Sequence, residues 1–391
     1  MAESAGAAVE PAGHRAGSGG VLLVVEQLRR RVPGGIGRYA NGLLQGLADD
    51  GAGGVTLFAS RVPGAPARRG GRPGDPLASF GLPVRTSRLP GRLLTRAWDR
   101  GRAALPAGFD LVHTVSLAIP PVGAPGTPLL ATVHDLSWRR HADATTARGR
   151  RWHEAALGRA LRLVDAFVVP SVAVADELVA AGALRATVSV IGWGGDHLPP
   201  PDLPGASALL EGAGVTGSYL LSVSTLEPRK NLARLAAAYA LARSRLPEPW
   251  PLVVVGPPGW GGVDLAKAPP EGVVPVGPVD DGVLAGLYAQ ARAFAYVPLS
   301  EGFGLPPLEA MGQGLPVVAS VTVPSAGDAS EASSAWCVDP LDVAAIADGL
   351  LRVSTDEALR AELVANGVAR ARSRTWRMVA QDHRSLWGSL S

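Results

Sequence analysis

Short runs of aliphatic and β-branched residues alternate with longer stretches of helical spacing along nearly the whole chain. Continuous apolar runs suit strands buried on both faces, and the amphipathic stretches between them suit crossover helices, so the pattern predicts βαβ units and parallel sheets. The runs place strands near 21–26, 55–59, 110–113, 129–133, 165–169 and 187–191, and again near 219–223, 251–255, 273–276, 293–297, 316–319 and 335–338. Between the two sets, Leu198-Pro-Pro-Pro-Asp-Leu-Pro-Gly205 interrupts both helix and ladder. It predicts a linker between a Rossmann-like domain over 20–198 and a second over 206–374. The segments 355–372 and 375–388 have helical spacing with no strand after them.

Length agrees with two domains, because single cores stop growing near ~250–300 residues and this chain has 391. No apolar run approaches the roughly 18–20 residues that a membrane span needs. Residues 1–19 are rich in Ala, Gly, Ser and Pro without a basic start and an apolar stretch, which predicts a disordered leader, no signal peptide, and a cytoplasmic chain. The single cysteine, Cys337, has no partner for an internal disulfide.

The net charge of +3 hides an asymmetry: residues 1–200 carry 23 basic against 15 acidic side chains, and residues 201–391 carry 14 against 19. The basic half is the one expected to meet an anionic acceptor or surface. From Pro90 to Leu105, helical spacing sets Arg92, Arg96 and Arg100 in one stripe opposite Leu93, Leu94, Ala97, Trp98 and Leu105, and Arg148, Arg150, Arg151, Arg159 and Arg162 follow. Two readings of this helix stand: it lies in an anionic membrane interface, or Leu94 and Trp98 pack on the domain while the arginines face water. Nothing points to nucleic acid.

Four stretches carry candidate chemistry. Ser300-Glu301-Gly-Phe-Gly-Leu-Pro-Pro-Leu-Glu309 joins two predicted strands, and Pro306 and Pro307 suit a first helical turn. That places Gly302, Phe303, Gly304 and Leu305 at a helix N-terminus open to an anion, flanked by two carboxylates able to accept sugar or ribose hydroxyls. Ser224-Thr-Leu-Glu-Pro228-Arg229-Lys230-Asn231 follows the strand near 219–223. Pro228 is expected to open the next helix with Arg229 and Lys230 in its first turn, a position unfavourable for cations unless an anion is near. Lys230 and Lys267 are the only lysines among 37 basic residues.

The third stretch is Pro33-Gly34-Gly35-Ile-Gly37-Arg38-Tyr39-Ala40, and the fourth Leu129-Leu-Ala-Thr-Val133-His134-Asp135, which sets His134 at a strand's carboxyl end with Asp135 placed to orient it. Gly35-x-Gly37-x-x-Ala40 mimics a dinucleotide fingerprint and keeps an NAD(P)-dependent oxidoreductase as a rival. Against it, Gln27 to Pro33 intervene between strand and glycines, and Arg61 stands where an acid is expected. His113 reads as a packed core histidine, and Val253-Val-Val-Gly256-Pro-Pro-Gly259 as a strand-to-loop turn.

Two glutamates separated by seven residues around Gly-Phe-Gly-Leu-Pro resemble the donor-site motif of the family 4 retaining glycosyltransferases. The resemblance runs from about residue 20 to 388 and implies the GT-B fold: two Rossmann-like domains facing across a cleft, the first binding acceptor and the second the nucleotide sugar. The family's C-terminal helix, here 375–391, crosses back to the first domain. The resemblance assigns Glu301 and His134 to the donor hexose, Glu309 to the ribose, Arg229 and Lys230 to the diphosphate, Gly34 and Gly35 to the diphosphate from the opposite domain, and Gly256 to the neighbourhood of the base. Thr225 stands where many relatives carry an arginine, which shifts the basic role to Arg229.

The implied activity is a hexosyltransferase of the EC 2.4.1 type acting on a glycan or lipid-linked acceptor, with GDP-mannose the first expectation for the donor. UDP-glucose, UDP-N-acetylglucosamine and dTDP-rhamnose stay open. No Asp-x-Asp occurs in the chain, so the cation role falls to Arg229 and Lys230, and no divalent metal or other cofactor is expected. A non-catalytic sugar-binding protein of the same fold is the remaining alternative.

Overall fold

The computed structural model describes residues 19–391 apart from 31–33, 52, 63–74, 122–123, 184–185, 261–264, 266 and 328–332. The leader expected over 1–19 therefore lies, but for Gly19, outside the described residues, as does Pro33 of the glycine stretch. Two all-parallel sheets follow one another along the chain. The first contains β1 (Val21–Val24), β2 (Val55–Arg61), β3 (Val84–Pro90), β4 (Leu111–Thr114), β5 (Leu129–Thr132), β6 (Ala166–Val169) and β7 (Thr187–Val190), in the spatial order β3-β2-β1-β4-β5-β6-β7. The second contains β8 (Leu220–Val223), β9 (Leu252–Val255), β10 (Val273–Gly277), β11 (Ala293–Tyr296), β12 (Val317–Ser320) and β13 (Trp336–Val338), in the order β10-β9-β8-β11-β12-β13.

Alternate side chains of one strand enter different cores, which is why the central runs are apolar throughout. On β1, Val21 and Leu23 face one cluster while Leu22 and Val24 face the other. In the second sheet Leu220 and Leu221 divide in the same way.

In both sheets the strand order reverses beside the first strand, between β1 and β4 and between β8 and β11. Loops leaving neighbouring strands in opposite directions open a crevice at the carboxyl ends, where ligands of open α/β sheets bind. The glycine stretch follows β1, the Arg229-Lys230 segment follows β8, and the Glu301 loop follows β11, so all three lie at reversal points.

Three expectations are corrected, and the helix 91–98 shows its packing side. The strand β3 was not expected; its Val-Arg-Thr-Ser-Arg-Leu-Pro sequence is polar because it is the sheet edge, with only Val84 buried. The proline-rich segment does not stay irregular to Gly205, because a helix runs from Leu203 to Gly212, Pro204 sits in its first turn, and Asp202 caps it by accepting from the Gly205 amide at 3.0 Å. Arg229 and Lys230 do not lie in the first turn of the long helix. They lie in a separate 3₁₀ turn, Pro228–Lys230, and Asn231 turns left-handed (φ 60°) before the helix Leu232–Arg243 begins. In the helix Gly91–Trp98, Leu94 and Trp98 pack inward, as does Leu105 beyond it, leaving Leu93 half-exposed beside the arginine stripe. Among the described residues no helix is long and apolar enough to cross a membrane.

The last helix, Trp376–Leu390, leaves the second sheet and lies on the first, packed along the helix Gly34–Asp49. Trp376, Val379, Ala380 and Trp387 join the same core as Val21, Leu23 and Tyr39. The approach is close: a Cβ added to Gly42 would come within 2.2 Å of the Trp376 ring. A buried polar chain fastens it. Tyr39 Oη lies 2.9 Å from His383 Nε2 and 3.2 Å from Thr132 Oγ1, which lies 2.8 Å from His113 Nε2. Trp387 Nε1 donates to His113 Nδ1 at 3.3 Å, so His113 is a fully enclosed core histidine.

Candidate active site

Between the reversal points the loops after β8 and β11 form one compact ionic cage. Glu301 Oε1 accepts from Arg229 Nη1 at 3.0 Å and from Tyr296 Oη at 2.8 Å, and is in contact with Lys230 Nζ. Arg229 also donates to the Ser300 carbonyl (2.9 Å) and to Glu227 (3.0 Å), while Lys230 donates to Tyr296 Oη (2.9 Å). Burial alone would push the Glu301 carboxyl up; the Lys230 and Arg229 charges outweigh it and hold Glu301 below the usual carboxylate range. Asp135 is also in this field, held low against its burial by the Arg229 charge and by Ser137. It does not orient His134, because it accepts from the Ser137 amide (2.9 Å) and hydroxyl (2.6 Å) and so caps the short turn that follows.

Gly304 (φ 93°) and the prolines after it open the helix Leu305–Gly312, which carries Glu309. Glu309 is almost completely enclosed. Its Oε1 accepts from His197 Nε2 at 2.8 Å and lies 3.4 Å from Arg38 Nη1, and its Oε2 accepts from Tyr288 Oη at 2.8 Å. Burial opposes its charge, but Arg38, His197 and Tyr288 together lower its pKa to about 2. Arg38 comes from the helix beneath the first sheet's glycine stretch and also donates to Asp281 at 2.8 Å. It bridges the two halves of the molecule.

The two sheets touch at Gly302. A Cβ there would fall 1.7 Å from the His134 carbonyl oxygen, so only glycine allows the loop to close on the end of β5. The Ser171 hydroxyl donates to the Gly302 carbonyl at 2.8 Å from the same side, and Phe303 packs on Trp193 with ring centroids 5.1 Å apart.

His134 is enclosed by Tyr39 and Trp193. Burial pushes its pKa down to about 4, so the ring is neutral at pH 7. Nε2 lies 2.8 Å from the Val115 carbonyl and must carry the proton, which leaves Nδ1 as a buried acceptor without a partner. A sugar hydroxyl is a donor suited to it.

The structure thus brings His134, Arg229, Lys230, Glu301, Gly302, Phe303, Gly304, Leu305 and Glu309 to one region. Gly34 and Gly35 are exposed at the start of the helix that bears Arg38. Gly256 follows β9 with φ 148°, pressed on the Ser224 carbonyl next to the Arg229 segment. Sequence reasoning missed Arg38, His197, Tyr288 and Tyr296. Arg38 was signalled by the Gly-Ile-Gly that precedes it and His197 by its place before the prolines; Tyr288 and Tyr296, on a helix and a strand, carry no local signal.

Residues 33–197 match the family described as Glycosyltransferase Family 4, and residues 212–370 match Glycosyl transferases group 1. A D-inositol 3-phosphate glycosyltransferase of Nocardioides sp. is 30% identical over 329 residues, covering 75% of this chain and 70% of that protein. O-antigen chain mannosyltransferase B of Escherichia coli is 38% identical over 166 residues, covering 40% of this chain, and the matched part spans 42% of the relative's length. Among solved structures, sucrose-phosphate synthase from Thermosynechococcus elongatus superposes with a TM-score of 0.71 at 19% identity over 95% of this chain and 99% of that one. Anabaena HepE in complex with UDP and glucose gives 0.66 at 18% identity over 94% and 99%. The match over most of the Nocardioides relative, the two family matches laid end to end and the two facing parallel sheets lead to one conclusion: the chain belongs to the family 4 glycosyltransferases and has their GT-B fold.

Proposed function

We propose that the protein is a retaining hexosyltransferase that moves a sugar, mannose from GDP-mannose as the first choice, from a nucleotide donor to a glycan or lipid-linked acceptor. The observation that carries this reading is the pair of buried, ionised carboxylates Glu301 and Glu309 at the two ends of one glycine loop and helix, with Arg229 and Lys230 beside the first. In this reading Glu301 and the unpartnered Nδ1 of His134 accept from donor hexose hydroxyls, Glu309 takes the ribose, and Gly256 lies near the base. The amides at Gly34, Gly35 and the Gly302–Leu305 turn face the diphosphate with Arg229 and Lys230. These groups supply the positive charge in place of a divalent metal.

The acceptor hydroxyl attacks from the face the diphosphate leaves, a phosphate oxygen takes its proton, and no protein nucleophile is required. The E. coli relative is named a mannosyltransferase, which favours mannose; HepE was solved with UDP, which keeps a uridine donor as second choice. A thermal-shift series with GDP, UDP, dTDP and NADP tests the reading, since a ligand bound only by the folded state raises its apparent stability. A rise with GDP or another nucleoside diphosphate is expected. A rise with NADP alone would favour an oxidoreductase, and no rise with any of them a non-catalytic protein.

The exposed arginine face of Gly91–Trp98 suits peripheral contact with an anionic membrane, at the inner face of the plasma membrane, through charge and Leu93. Sedimentation with phosphatidylglycerol vesicles at low salt, lost at high salt, is the expected sign. A protein left in the supernatant at low salt would make the acceptor soluble.

A further inference from the structure

Arg229 and Lys230 are the cations that a diphosphate-binding site would be expected to leave open, yet each is engaged. Arg229 pairs with Glu227 and Glu301, and Lys230 with Glu301, so two positive charges meet two negative ones before any donor arrives. Their side chains are 16% and 12% exposed. Arg38 differs on both counts. Its side chain is 32% exposed, its contact with Glu309 is long at 3.4 Å, and its closer partner, Asp281, is itself more than half exposed. An ion pair open to solvent on both sides is weakly held and readily exchanged.

Position on the helix adds direction. Side chains of an α-helix lean toward its N-terminus, so Arg38, one turn into Gly34–Asp49, leans toward the exposed amides of Gly34 and Gly35. An anion at that helix start lies on the side to which the guanidinium already tilts, and Arg presents a fork of donors suited to phosphate oxygens.

Glu309 supplies the trigger. Its Oε1 is approached by both His197 and Arg38, and its Oε2 by Tyr288. A carboxylate oxygen takes about two donors, so a ribose hydroxyl donating to Oε1 competes with the two groups already beside it. His197, 9% exposed and at 2.8 Å, is held; Arg38 is the one that can leave.

We propose that Arg38 is a donor-positioning residue that bridges the cleft through Glu309 and Asp281 when the site is empty, and passes to the donor diphosphate when ribose takes its place on Glu309. The inference rests on reading Glu309 as the ribose carboxylate. It makes Arg38 the cation that completes diphosphate binding beside Arg229 and Lys230, whose charges Glu227 and Glu301 partly offset, and it links base-and-ribose capture to closure on the phosphates.

Calorimetric titration of the full chain tests it, with GDP and UDP compared against guanosine and uridine for wild type, Arg38→Gln and Arg38→Lys, each first shown to be folded by circular dichroism. Arg38→Gln is expected to bind the preferred nucleoside diphosphate at least about tenfold more weakly, with nucleoside affinity unchanged or higher because its competitor for Glu309 is gone. Arg38→Lys is expected to recover part of the loss, since it keeps the charge. Equal loss of nucleoside and diphosphate would make Arg38 a structural tie only, and no loss of diphosphate affinity would remove it from donor binding. Both results leave the glycosyltransferase reading intact. If wild type binds neither GDP nor UDP, the donor reading itself falls and this inference with it.

Discussion

Glu301 and Glu309 face opposite demands at the two ends of one loop and helix. Every group that holds Glu301 comes from loops and strands of the second sheet: Arg229 and Lys230 after β8, Tyr296 at the end of β11. Glu309 takes Tyr288 from its own side, but Arg38 comes from the first sheet's leading helix and His197 from the segment joining the halves. The first cage is complete once the second sheet has folded. The second exists only while the halves are apposed. One short stretch of chain therefore carries a fixed charge at its start and a closure-dependent charge at its end.

The largest expected difference lies at the fixed end. Lys230→Ala leaves a buried carboxylate short of a partner, and turnover is expected to fall by about 10³-fold, the scale of losing a preorganised charge at a reacting centre. Glu301→Gln is expected to fall by ~10²-fold or more in kcat with little change in affinity for the nucleoside diphosphate. Steady-state kinetics on the folded variants decides it, and near-normal kcat in either would move the reacting centre elsewhere.

Next comes acid stability. The Glu309 pKa is lowered from 4.5 to about 2, so its contribution is complete above pH ~4.5 and fades as pH falls toward 2. At 1.36 kcal/mol per unit this is about 3 kcal/mol. The urea midpoint of Glu309→Gln is expected to fall less steeply over that range than wild type. Parallel curves would show that the closure-dependent pairing contributes nothing to stability.

Glu309→Gln should also raise the donor KM by about tenfold, or ~1.4 kcal/mol, with kcat altered less. A kcat loss as deep as that of Glu301→Gln would erase the contrast between the two ends. The smallest expected effect is none at all: if Arg229 and Lys230 carry the charge at the fixed end, activity should survive excess EDTA. Loss restored by Mg²⁺ or Mn²⁺ would assign that charge to an ion.

The central strands were legible because they are buried on both sides and therefore continuously apolar; β3 was not, because an edge strand with Arg85, Ser87 and Arg88 lacks that mark. Pro204 was read as a breaker when it is a first-turn residue, a distinction that depends on Asp202 capping two positions earlier. The Glu301 loop was readable since its glycines and prolines act locally. Arg38 and His197 had local marks, the Gly-Ile-Gly before one and the prolines after the other, but their role was not readable, because it is defined by Glu309, more than a hundred residues away in the chain. Trp98 was left between two environments by its helical stripe, and its burial is decided by packing beside Phe58, which no spacing reveals.

The helix Trp376–Leu390 has a consequence for the order in which the molecule is made. Trp376, Val379, Ala380 and Trp387 complete the core that begins with Val21 and Leu23. A ribosome releases residues in sequence, so the first sheet emerges with one flank bare and must wait for residues 376–387, made after the whole second sheet, before it can be covered. The second sheet, whose cores are drawn from residues 198–371, needs no such wait. The half that comes earlier in the chain is thus the half that is covered later, and for that interval its uncovered apolar surface is what chaperones and neighbouring chains encounter.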